Sequence, residues 1–422
     1  MAVKYTKPRG TQDIMMNKSH EWLDLEEKLR KIVSLYGYKE IRLPTFESTE
    51  VFSRGVGDTT DIVGKEMYTF LDKGDRSITL RPEGTSGVVR AVLESGILGS
   101  APMPLKAYYI QSCFRYEKAQ KGRLREFHQL GIECYGTHNP QSDAEVIMVA
   151  DHILKNVGLK NYHLEINSIG CKTCRANYHK ALKEYFNGYT DIFCSTCNDR
   201  LDRNPMRILD CKVDKCKEIA KDAPVMLDYL CPDCETHFDE VKKELDINNI
   251  NYTINKTIVR GLDYYSNTVF EFIHDGVGTQ GTICGGGRYN GLVSEFEGPQ
   301  TPAVGFGMGI ERLMLAMQDE NIPLSPPLTP ILFIVSLGEN GKSKASTLAK
   351  YLRENNIYVE YDIVGRGLKA QMKYADKIGA KYTMVLGDDE VASNSANLKL
   401  MADGSQTLVN LDKDIIDKLI NN

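Results

Sequence analysis

The residues best suited to chemistry are concentrated between positions 112 and 135 of the 422-residue chain, in the segment SCFRYEKAQKGRLREFHQLGIECY. The segment reads as two strands joined by a basic, glycine-containing loop. Arg115 on the first strand and Arg123 at the end of the loop could each bind a phosphate or a carboxylate through two hydrogen bonds. Gln129 and Glu133 are four residues apart on an extended strand and therefore project from one face. This face suits a small zwitterionic substrate, although a solvated hairpin is an alternative for the stretch taken alone.

A second candidate lies between Val304 and Leu313, where a glycine-rich strand turns into a helix. Glycine lets a ligand approach the backbone closely. Arg312, one turn inside the helix, could then hold a polyphosphate. A glycine-rich packing turn without a ligand is the alternative.

Eight of the eleven cysteines fall between positions 171 and 234, and their spacing is typical of zinc ligands. Each close pair clips one side of a tetrahedral ion, and two pairs supply four thiolates. The pairs are Cys171 with Cys174, Cys194 with Cys197, Cys211 with Cys216, and Cys231 with Cys234. In the simplest arrangement the first two pairs form one site and the last two form another; the alternatives are that the two sites exchange pairs, or that one is empty because the spacing of Cys211 and Cys216 makes a looser clip. We expect a structural metal that is separate from the chemistry; the alternative is reduced thiols packed as small hydrophobic residues.

The elements that must position these residues are visible in the apolar pattern. A helical stripe begins at Trp22 and stops at Gly37. Residues 105–114 and 126–135 alternate like an antiparallel hairpin, whereas residues 142–156 have the spacing of a helix. The cysteine-rich stretch, which contains charged helical segments, reads as a separate insert. After the proline-rich connector IPLSPPLTP, an alternation of strands and helices predicts a small α/β domain.

Composition limits the class of protein. The chain has 42% hydrophobic and 26% charged residues, which is ordinary globular usage and argues against disorder, collagen and coiled coil. Its 52 basic and 57 acidic residues give a net charge of −5, so any nucleic-acid surface must be local. The longest apolar run falls short of a membrane span, and the N-terminal residues lack the apolar core of a secretory signal. We therefore predict a cytoplasmic location and no membrane partner.

Three segments together resemble the signature motifs of class II aminoacyl-tRNA synthetases. Glu40–Pro44, after a long helix, resembles the first motif, the hairpin around Arg115 the second, and the glycine-rich segment before Arg312 the third. Other segments resemble elements of one family, the histidyl-tRNA synthetases. Two match its histidine-specific motifs and one its amino-acid-binding segment: RGLDYY (Arg260–Tyr265), GGGRYNGL (Gly285–Leu292) and RPEGT (Arg81–Thr85).

The resemblance implies an α+β fold in which an antiparallel sheet of the class II synthetase type is flanked by helices. It places the catalytic domain in residues 1–170 and 251–322, a cysteine-rich helical insertion domain in residues 171–250, and an α/β anticodon-binding domain in residues 330–422. It also implies a histidine–tRNA ligase. Such an enzyme joins histidine to ATP, forming histidyl-adenylate and pyrophosphate, and then transfers histidine to the 3′ end of its tRNA.

The resemblance also assigns residues to ligands, and ATP is expected to bind with Mg²⁺. The residues assigned to histidine are Glu83, Thr85, Gln129, Glu133, Tyr264, Tyr265 and Tyr289. Those assigned to ATP are Arg115, Arg123 and Arg312. Arg260 and Arg115 are predicted to stabilise charge at the α-phosphate during catalysis, and Gln120 is predicted to meet the acceptor end of the tRNA.

The predicted partners are histidine, ATP, the histidine tRNA and a second copy of the chain, because the first class II motif lies across a two-fold interface in this family. The alternative is the regulatory subunit of ATP phosphoribosyltransferase, a paralogue with a similar catalytic domain that does not charge tRNA. That paralogue usually lacks the C-terminal domain and loses several active-site residues. The chain keeps Arg115, Arg260 and Arg312, which favours the enzyme.

Overall fold

The computed structural model describes residues 4–57, 60, 62–209, 211, 213–258, 262–278, 281–412 and 414–420. The chain forms two compact units, Met1–Leu324 and Ser325–Asn422. Within the described ranges, no helix combines the length and the apolar character that crossing a membrane requires.

The first unit is built on a mixed sheet. The strands of this unit are β1 (Lys39–Glu40), β2 (Phe46–Ser48), β3 (Thr69–Leu71), β4 (Ser77–Leu80), β5 (Leu105–Phe114), β6 (Glu126–Tyr135), β7 (His163–Ser168), β8 (Thr253–Ile254), β9 (Ser266–Ile273), β10 (Thr282–Arg288) and β11 (Ala303–Gly309). Among the described residues, eight strands form the large sheet in the order β1-β5-β6-β11-β10-β9-β7-β8, and β2-β4-β3 form a small one. Neighbours in the large sheet are antiparallel except at its two edges, where β1 runs parallel to β5 and β7 to β8.

Helices cover one face of this sheet and build the insert. They are α1 (Ser19–Leu35), α2 (Thr49–Val56), α3 (Thr85–Glu94), α4 (Pro140–Asn156), α5 (Lys172–Phe186), α6 (Ser195–Arg203), α7 (Asp214–Ala220), α8 (Pro232–Ile247), α9 (Leu292–Glu295) and α10 (Ile310–Asp319). The start of α4 is fixed by its sequence, because the Asn139 side chain accepts a hydrogen bond from the Gln141 amide and Pro140 occupies the first helical position.

The two faces of the large sheet have different surroundings. On β6, Leu130 and Ile132 are fully buried in the core that α1, α4, α8 and α10 complete. Side chains alternate across a strand, so Gln129, Gly131 and Glu133 point to the opposite face. The predicted hairpin is confirmed at both strands, and its second strand carries a core stripe on one side and polar groups on the other.

The second unit is a smaller α/β domain. Its elements are β12 (Leu332–Ser336), α11 (Gly338–Glu354), β13 (Val359–Tyr361), α12 (Leu368–Lys377), β14 (Tyr382–Leu386), α13 (Asp388–Ser393), β15 (Ser395–Leu400), β16 (Gln406–Asn410) and α14 (Asp414–Ile420). The strand order is β13-β12-β14-β15-β16, with the first three parallel and the last two joined as an antiparallel hairpin. The strand–helix alternation is as predicted, and the β15–β16 hairpin was not predicted.

Candidate active site

The polar face of the sheet has a floor of glycines on β10 and β11. Gly305 pairs with Glu133 of β6 and with Gly287 of β10, and Gly307 pairs with Gly285 of β10. A Cβ atom at Gly305 would lie 2.2 Å from the Glu133 carboxylate. A Cβ atom at Gly307 would lie 2.4 Å from the Gln129 side-chain nitrogen. The glycines therefore leave room for polar side chains of the neighbouring strand to lie along the sheet.

Above this floor lies a cavity of about 820 Å³. It is lined by eight of the residues predicted to bind histidine or ATP: Glu83, Thr85, Arg115, Arg123, Gln129, Tyr264, Tyr265 and Arg312. These residues come from segments up to 229 positions apart in the chain, since the first is Glu83 and the last is Arg312. The fold therefore brings most of the predicted site residues together.

One part of the cavity wall carries three arginines. Arg115 Nε donates to the Pro82 carbonyl at 2.8 Å, and Arg312 Nε donates to the Gly122 carbonyl at 3.0 Å. Arg123 forms an ion pair of 2.9 Å with Glu117. Burial, and then the positive charges of Arg123 and Arg115, lower the pKa of Arg312 below its ordinary value.

Two guanidinium groups close enough to disfavour the charge of Arg312 make this part of the cavity a ready site for a polyanion, which would relieve that repulsion. Arg115 and Arg312 are oriented by neutral backbone carbonyls, which do not cancel their charge, whereas Arg123 is paired with the Glu117 carboxylate. The carboxylates of Glu117 and Glu271 are among those that also line the cavity, and Glu271 accepts a hydrogen bond of 2.7 Å from the Thr282 hydroxyl.

The carboxylate of Glu83 holds the start of α3. Its two oxygens accept hydrogen bonds from the backbone amides of Thr85 at 2.6 Å and Ser86 at 2.9 Å. The first amides of a helix lack partners within the helix, so this contact both satisfies them and fixes the carboxylate in direction. Glu83 is buried yet lines the cavity, where its remaining lone pairs can accept hydrogen bonds from an ammonium group.

Glu133 lies behind the cavity surface and is 1% exposed. It accepts a hydrogen bond of 2.7 Å from the Thr85 hydroxyl, and the Tyr289 hydroxyl donates a second one. Burial raises the pKa of the Glu133 carboxyl to about 8. Two of the predicted histidine ligands, Glu133 and Tyr289, thus contact one another and do not line the cavity. They are connected to it by Thr85, which lines the cavity and donates to Glu133.

Aromatic rings close the cavity beside Thr85. The rings of Tyr264 and Tyr265 lie 4.7 Å apart, and Tyr264 meets the Tyr289 ring edge-on at 5.5 Å. Both lining tyrosines are buried. They belong to the RGLDYY segment. Arg260, the predicted catalytic residue at the start of that segment, lies outside the described residues.

Gln120 lies on the exposed loop between β5 and β6. Its backbone pairs with that of Arg123 across a short bridge, and Gly122 completes the turn with a φ of +73°, a conformation that glycine adopts without strain. The loop therefore presents Gln120 to solvent while its base carries Arg123 into the cavity.

Two family models match the chain. The model described as histidyl-tRNA synthetase matches residues 10–173 and 213–313, and the model described as an anticodon-binding domain matches residues 332–422. The chain belongs to the histidyl-tRNA synthetase family.

Relatives named histidine–tRNA ligase span the whole chain. The protein of Acetivibrio thermocellus is 51% identical over 405 residues, covering 96% of this chain and 97% of the relative. The protein of Clostridium perfringens strain ATCC 13124 is 51% identical over 422 residues, covering 100% of this chain and 99% of the relative.

Solved structures agree in fold. The apo histidyl-tRNA synthetase of S. aureus is 40% identical, with a TM-score of 0.85 and coverage of 98% of this chain and 99% of that chain. A protein from Bacillus halodurans, titled as an ATP phosphoribosyltransferase regulatory subunit/histidyl-tRNA synthetase, shares 23% identity with a TM-score of 0.61, covering 89% of this chain and 97% of that chain. At that identity the second likeness concerns the fold alone.

The eight cysteines of the insert form two groups of four. The groups differ from the simplest arrangement, in which neighbouring pairs along the chain share a site. One group, the distal cysteine site, consists of Cys171, Cys174, Cys231 and Cys234; the other, the cavity cysteine site, consists of Cys194, Cys197, Cys211 and Cys216. The prediction that neighbouring pairs along the chain combine is therefore wrong. The reason is the placement of two helix starts: α5 follows Cys171 and α8 follows Cys231, and the Cys231 amide donates to the Cys174 sulfur at 3.1 Å.

Each group has the geometry of a four-thiolate site. Within each, all four sulfur atoms lie within 4.8 Å of one another. Sulfurs around a tetrahedral zinc ion are about 3.8 Å apart, because each Zn–S bond is about 2.3 Å. The sulfurs of Cys194 and Cys211 are 3.9 Å apart. Backbone amides of Cys194 and Val213 also donate to sulfurs of the same group, at 3.4 and 3.5 Å.

Part of the insert lines the same cavity as the arginines, which the sequence interpretation missed. The insert residues on the cavity wall are Cys194, Thr196, Arg200, Arg207, Cys211 and Val213. Tyr109 is another missed lining residue, and the strand pattern could have revealed it, because Tyr109 pairs with Gly131 and so shares the face of Gln129 and Glu133. The insert residues carried no such signal, since nothing local in the sequence points to their contact with the sheet.

Proposed function

We propose that the protein is a histidine–tRNA ligase, which activates histidine with ATP and transfers it to its tRNA. The observation that carries this function is the similarity, at 51% identity over essentially the full length, to relatives of that name. Because its product serves translation, we expect the protein to act in the cytoplasm.

We assign ATP to the arginine part of the cavity. Arg115, Arg123 and Arg312 supply converging positive charge, which suits a triphosphate. Mg²⁺ bound with ATP would neutralise charge on the departing pyrophosphate, and the carboxylates of Glu117 and Glu271 are oxygen ligands of the kind it prefers.

We assign histidine to the part of the cavity between Glu83 and the tyrosines. Glu83 and Gln129 can accept hydrogen bonds from the α-ammonium group, and Thr85 lies beside them. Tyr264, Tyr265 and the Glu133–Tyr289 pair would surround the imidazole. A buried polar group rejects an apolar side chain of similar size, because that side chain would leave it unpaired.

In the first half-reaction, a carboxylate oxygen of histidine attacks the α-phosphorus, and the bond between the α-phosphorus and the α,β-bridging oxygen breaks as that oxygen leaves with pyrophosphate. Arg115 and Arg260 would stabilise the charge that develops on the α-phosphate. Removing Arg260 by an Arg260→Ala substitution should slow adenylate formation about 10²-fold or more, since one preorganised charge donor is lost. Single-turnover adenylation at the wild-type rate would exclude that role.

The second half-reaction brings tRNA to the cavity mouth. The exposed loop that carries Gln120 and Lys118 is suited to contact the acceptor end, with the lysine binding phosphate and the glutamine reading a base. Within the first unit we assign catalysis to residues 1–170 and 251–322, and the insert to residues 171–250. We assign anticodon binding to residues 330–422, most of which match the corresponding family model.

Pyrophosphate exchange with each of the twenty amino acids tests the function. Exchange that depends on histidine and on ATP is the expected result. A folded protein without exchange in the presence of histidine would instead indicate the regulatory paralogue, and this alternative can be checked by its effect on ATP phosphoribosyltransferase.

We propose that the enzyme is a homodimer. Support comes from apolar side chains left exposed near the first class II motif: Phe46 on β2 and Phe70 and Leu71 on β3 are 56%, 48% and 65% exposed. Burying such a patch against a second copy is favourable. Sedimentation at micromolar concentration should give about twice the 47.4 kDa chain mass, and a fully active monomer would contradict the proposal.

We propose that both cysteine sites bind structural Zn²⁺. The support is the four sulfurs gathered in each site and the amide groups that donate to them. An insert with a small core of its own also gains stability from metal clips. Elemental analysis of protein purified without chelator should give about two zinc ions per chain.

A further inference from the structure

The cavity cysteine site pins both ends of one stretch of the insert. Cys194 immediately precedes α6, and Cys211 follows the 3-10 turn Pro205–Ile208, so a metal held there would close the chain between them into a loop. Inside the loop, Arg200 on α6 donates to the Arg207 carbonyl at 3.0 Å, which ties the turn back onto the helix. The position of Arg207 is therefore set by the cysteine site at either end of the loop together with the buried side chains of Met206 and Ile208 in the turn itself.

Arg207 connects this loop to the RGLDYY segment. Its Nη2 donates to Asp263 Oδ1 at 2.8 Å, and the Asn204 side-chain amide donates to the same oxygen at 3.3 Å. The Arg207 side chain is 11% exposed, so the ion pair is screened by little water. Asp263 directly precedes Tyr264 and Tyr265, which line the cavity.

The distal cysteine site has a weaker connection to the same segment. Arg175, next to Cys174, donates to the Asp263 carbonyl at 3.4 Å. However, α5 is anchored by three side chains of at most 1% exposure, Tyr178, Leu182 and Phe186, and should keep Arg175 in place without a metal. In α6, by contrast, Cys197 and Leu201 are the buried residues, and the first of these is itself a ligand.

Resting on the proposed function, we infer that the cavity cysteine site is a positioning element for histidine activation. With Zn²⁺ bound to its four thiolates, it holds one wall of the cavity and, through Arg207, fixes Asp263 and the two tyrosines that follow it. Arg207 and Asp263 are positioning residues in this account. The distal site, in contrast, stabilises the insert without controlling the reaction.

Two double variants separate the sites. Cys197→Ser with Cys216→Ser removes two ligands of the cavity site that do not themselves line the cavity, so the wall chemistry is unchanged. The matched control, Cys174→Ser with Cys234→Ser, removes two buried ligands of the distal site. Each variant should lose about one zinc ion per chain, which elemental analysis measures.

Histidine-dependent pyrophosphate exchange is the second readout. The cavity-site variant should lose about 10- to 100-fold in kcat, the effect typical of displaced supporting residues. Its KM for ATP should change little, because the three arginines lie on other elements. The distal-site variant should keep a kcat close to that of the wild type.

A double-mutant cycle tests whether Arg207 acts through its ion pair with Asp263. The test remains valid even if the cysteine variants do not fold. Arg207→Met and Asp263→Asn each break the ion pair while leaving all eight cysteines. If Arg207 acts through Asp263, the two losses in kcat should not add, and Arg207→Lys should restore part of the activity. Additive losses would mean that Arg207 contacts the substrate directly, and would overturn the inference.

The remaining outcomes also decide the matter. Full exchange activity in a zinc-depleted cavity-site variant, or an equal loss in both cysteine variants, would overturn the positioning role while leaving the ligase intact. Metal-free wild-type protein with full activity would do the same. Absence of histidine-dependent exchange in the zinc-loaded wild type would overturn the proposed function, and this inference with it.

Discussion

The arginine part and the carboxylate part of the cavity hold their charged groups in different ways. Arg115 and Arg312 are oriented by neutral backbone carbonyls at Pro82 and Gly122, which do not themselves neutralise the guanidinium charge. Glu133 is fixed by the hydroxyl groups of Thr85 and Tyr289 in a buried site, and burial raises the pKa of its carboxyl.

This difference suits the two ligands. A triphosphate keeps its negative charge at every physiological pH, and permanent guanidinium charges complement it. The imidazole ring of histidine gains and loses a proton near neutrality. The Glu133 carboxyl, with its pKa raised to about 8, can likewise be protonated or ionised to match the ring. The comparison predicts that replacing an arginine of the cavity by a neutral residue lowers the activity far more than replacing Glu133 by a neutral residue.

The largest effect is expected at Arg115. Arg115→Ala should lower kcat/KM for pyrophosphate exchange by about 10²- to 10³-fold, because a preorganised charge donor is lost where charge develops. The matched control is Arg125→Ala in the same loop; the Arg125 guanidinium stacks 3.9 Å from the centre of the Tyr116 ring instead of lining the cavity. Equal losses in the two variants would show that loop folding, and not charge at the cavity, limits the rate.

A smaller effect is expected from filling the glycine floor. In Gly307→Ala the new Cβ atom would lie 2.4 Å from the Gln129 side chain and push it from its place. Such overpacking costs about 1–3 kcal/mol, which, expressed as binding free energy, corresponds to about 5- to 150-fold in the KM for histidine.

Gly309→Ala on the same strand is the reference variant for this test. There the nearest atom to the new Cβ is 3.5 Å away, an ordinary contact with Arg312. We expect its KM for histidine to stay near that of the wild type. Similar KM values for histidine in the two variants would mean that the absence of a side chain at Gly307 is not needed to place Gln129.

The sequence predicts an element of the fold well when the residues that define it lie within one short segment. The strands at 105–114 and 126–135 have the predicted bounds, because alternation and flanking turns lie within the segments themselves. The alternation in YKEIRLP predicts a strand that ends at Pro44, but the strand is confined to Lys39–Glu40. The pattern of residues 66–70 predicts a strand from Glu66, but the strand begins at Thr69, since Ile62–Glu66 forms a helical turn.

The site shows the same limit more sharply. Cysteine spacing identified the four clips, but their combination depends on where α5 and α8 begin in space, which no local pattern encodes. The contact between Arg207 and Asp263 joins residues 56 positions apart and was equally hidden. The assignment of Glu83 and Gln129 came from resemblance to a family; the strand pattern alone gave only the shared face of Gln129 and Glu133.

The smallest expected effect is a change in stability at Glu133. The pKa of this carboxyl is about 8 in the folded chain, above its ordinary value near 4.5. Between these values the unfolded chain gives up the proton while the folded chain keeps it, so this group lowers the stability as pH rises through that window. Above about pH 8 both states are ionised, and the penalty stays constant.

Glu133→Gln replaces the carboxyl by a neutral group of the same shape that can still pair with Thr85 and Tyr289. Its melting temperature should exceed that of the wild type by a few degrees near pH 8, with the difference shrinking toward pH 5. Glu126→Gln, on the same strand but partly exposed, should show no such trend. Thermal scans at several pH values provide the measurement. A difference that does not vary with pH would mean that the carboxyl is ionised in the folded chain throughout, and that both parts of the cavity carry permanent charge.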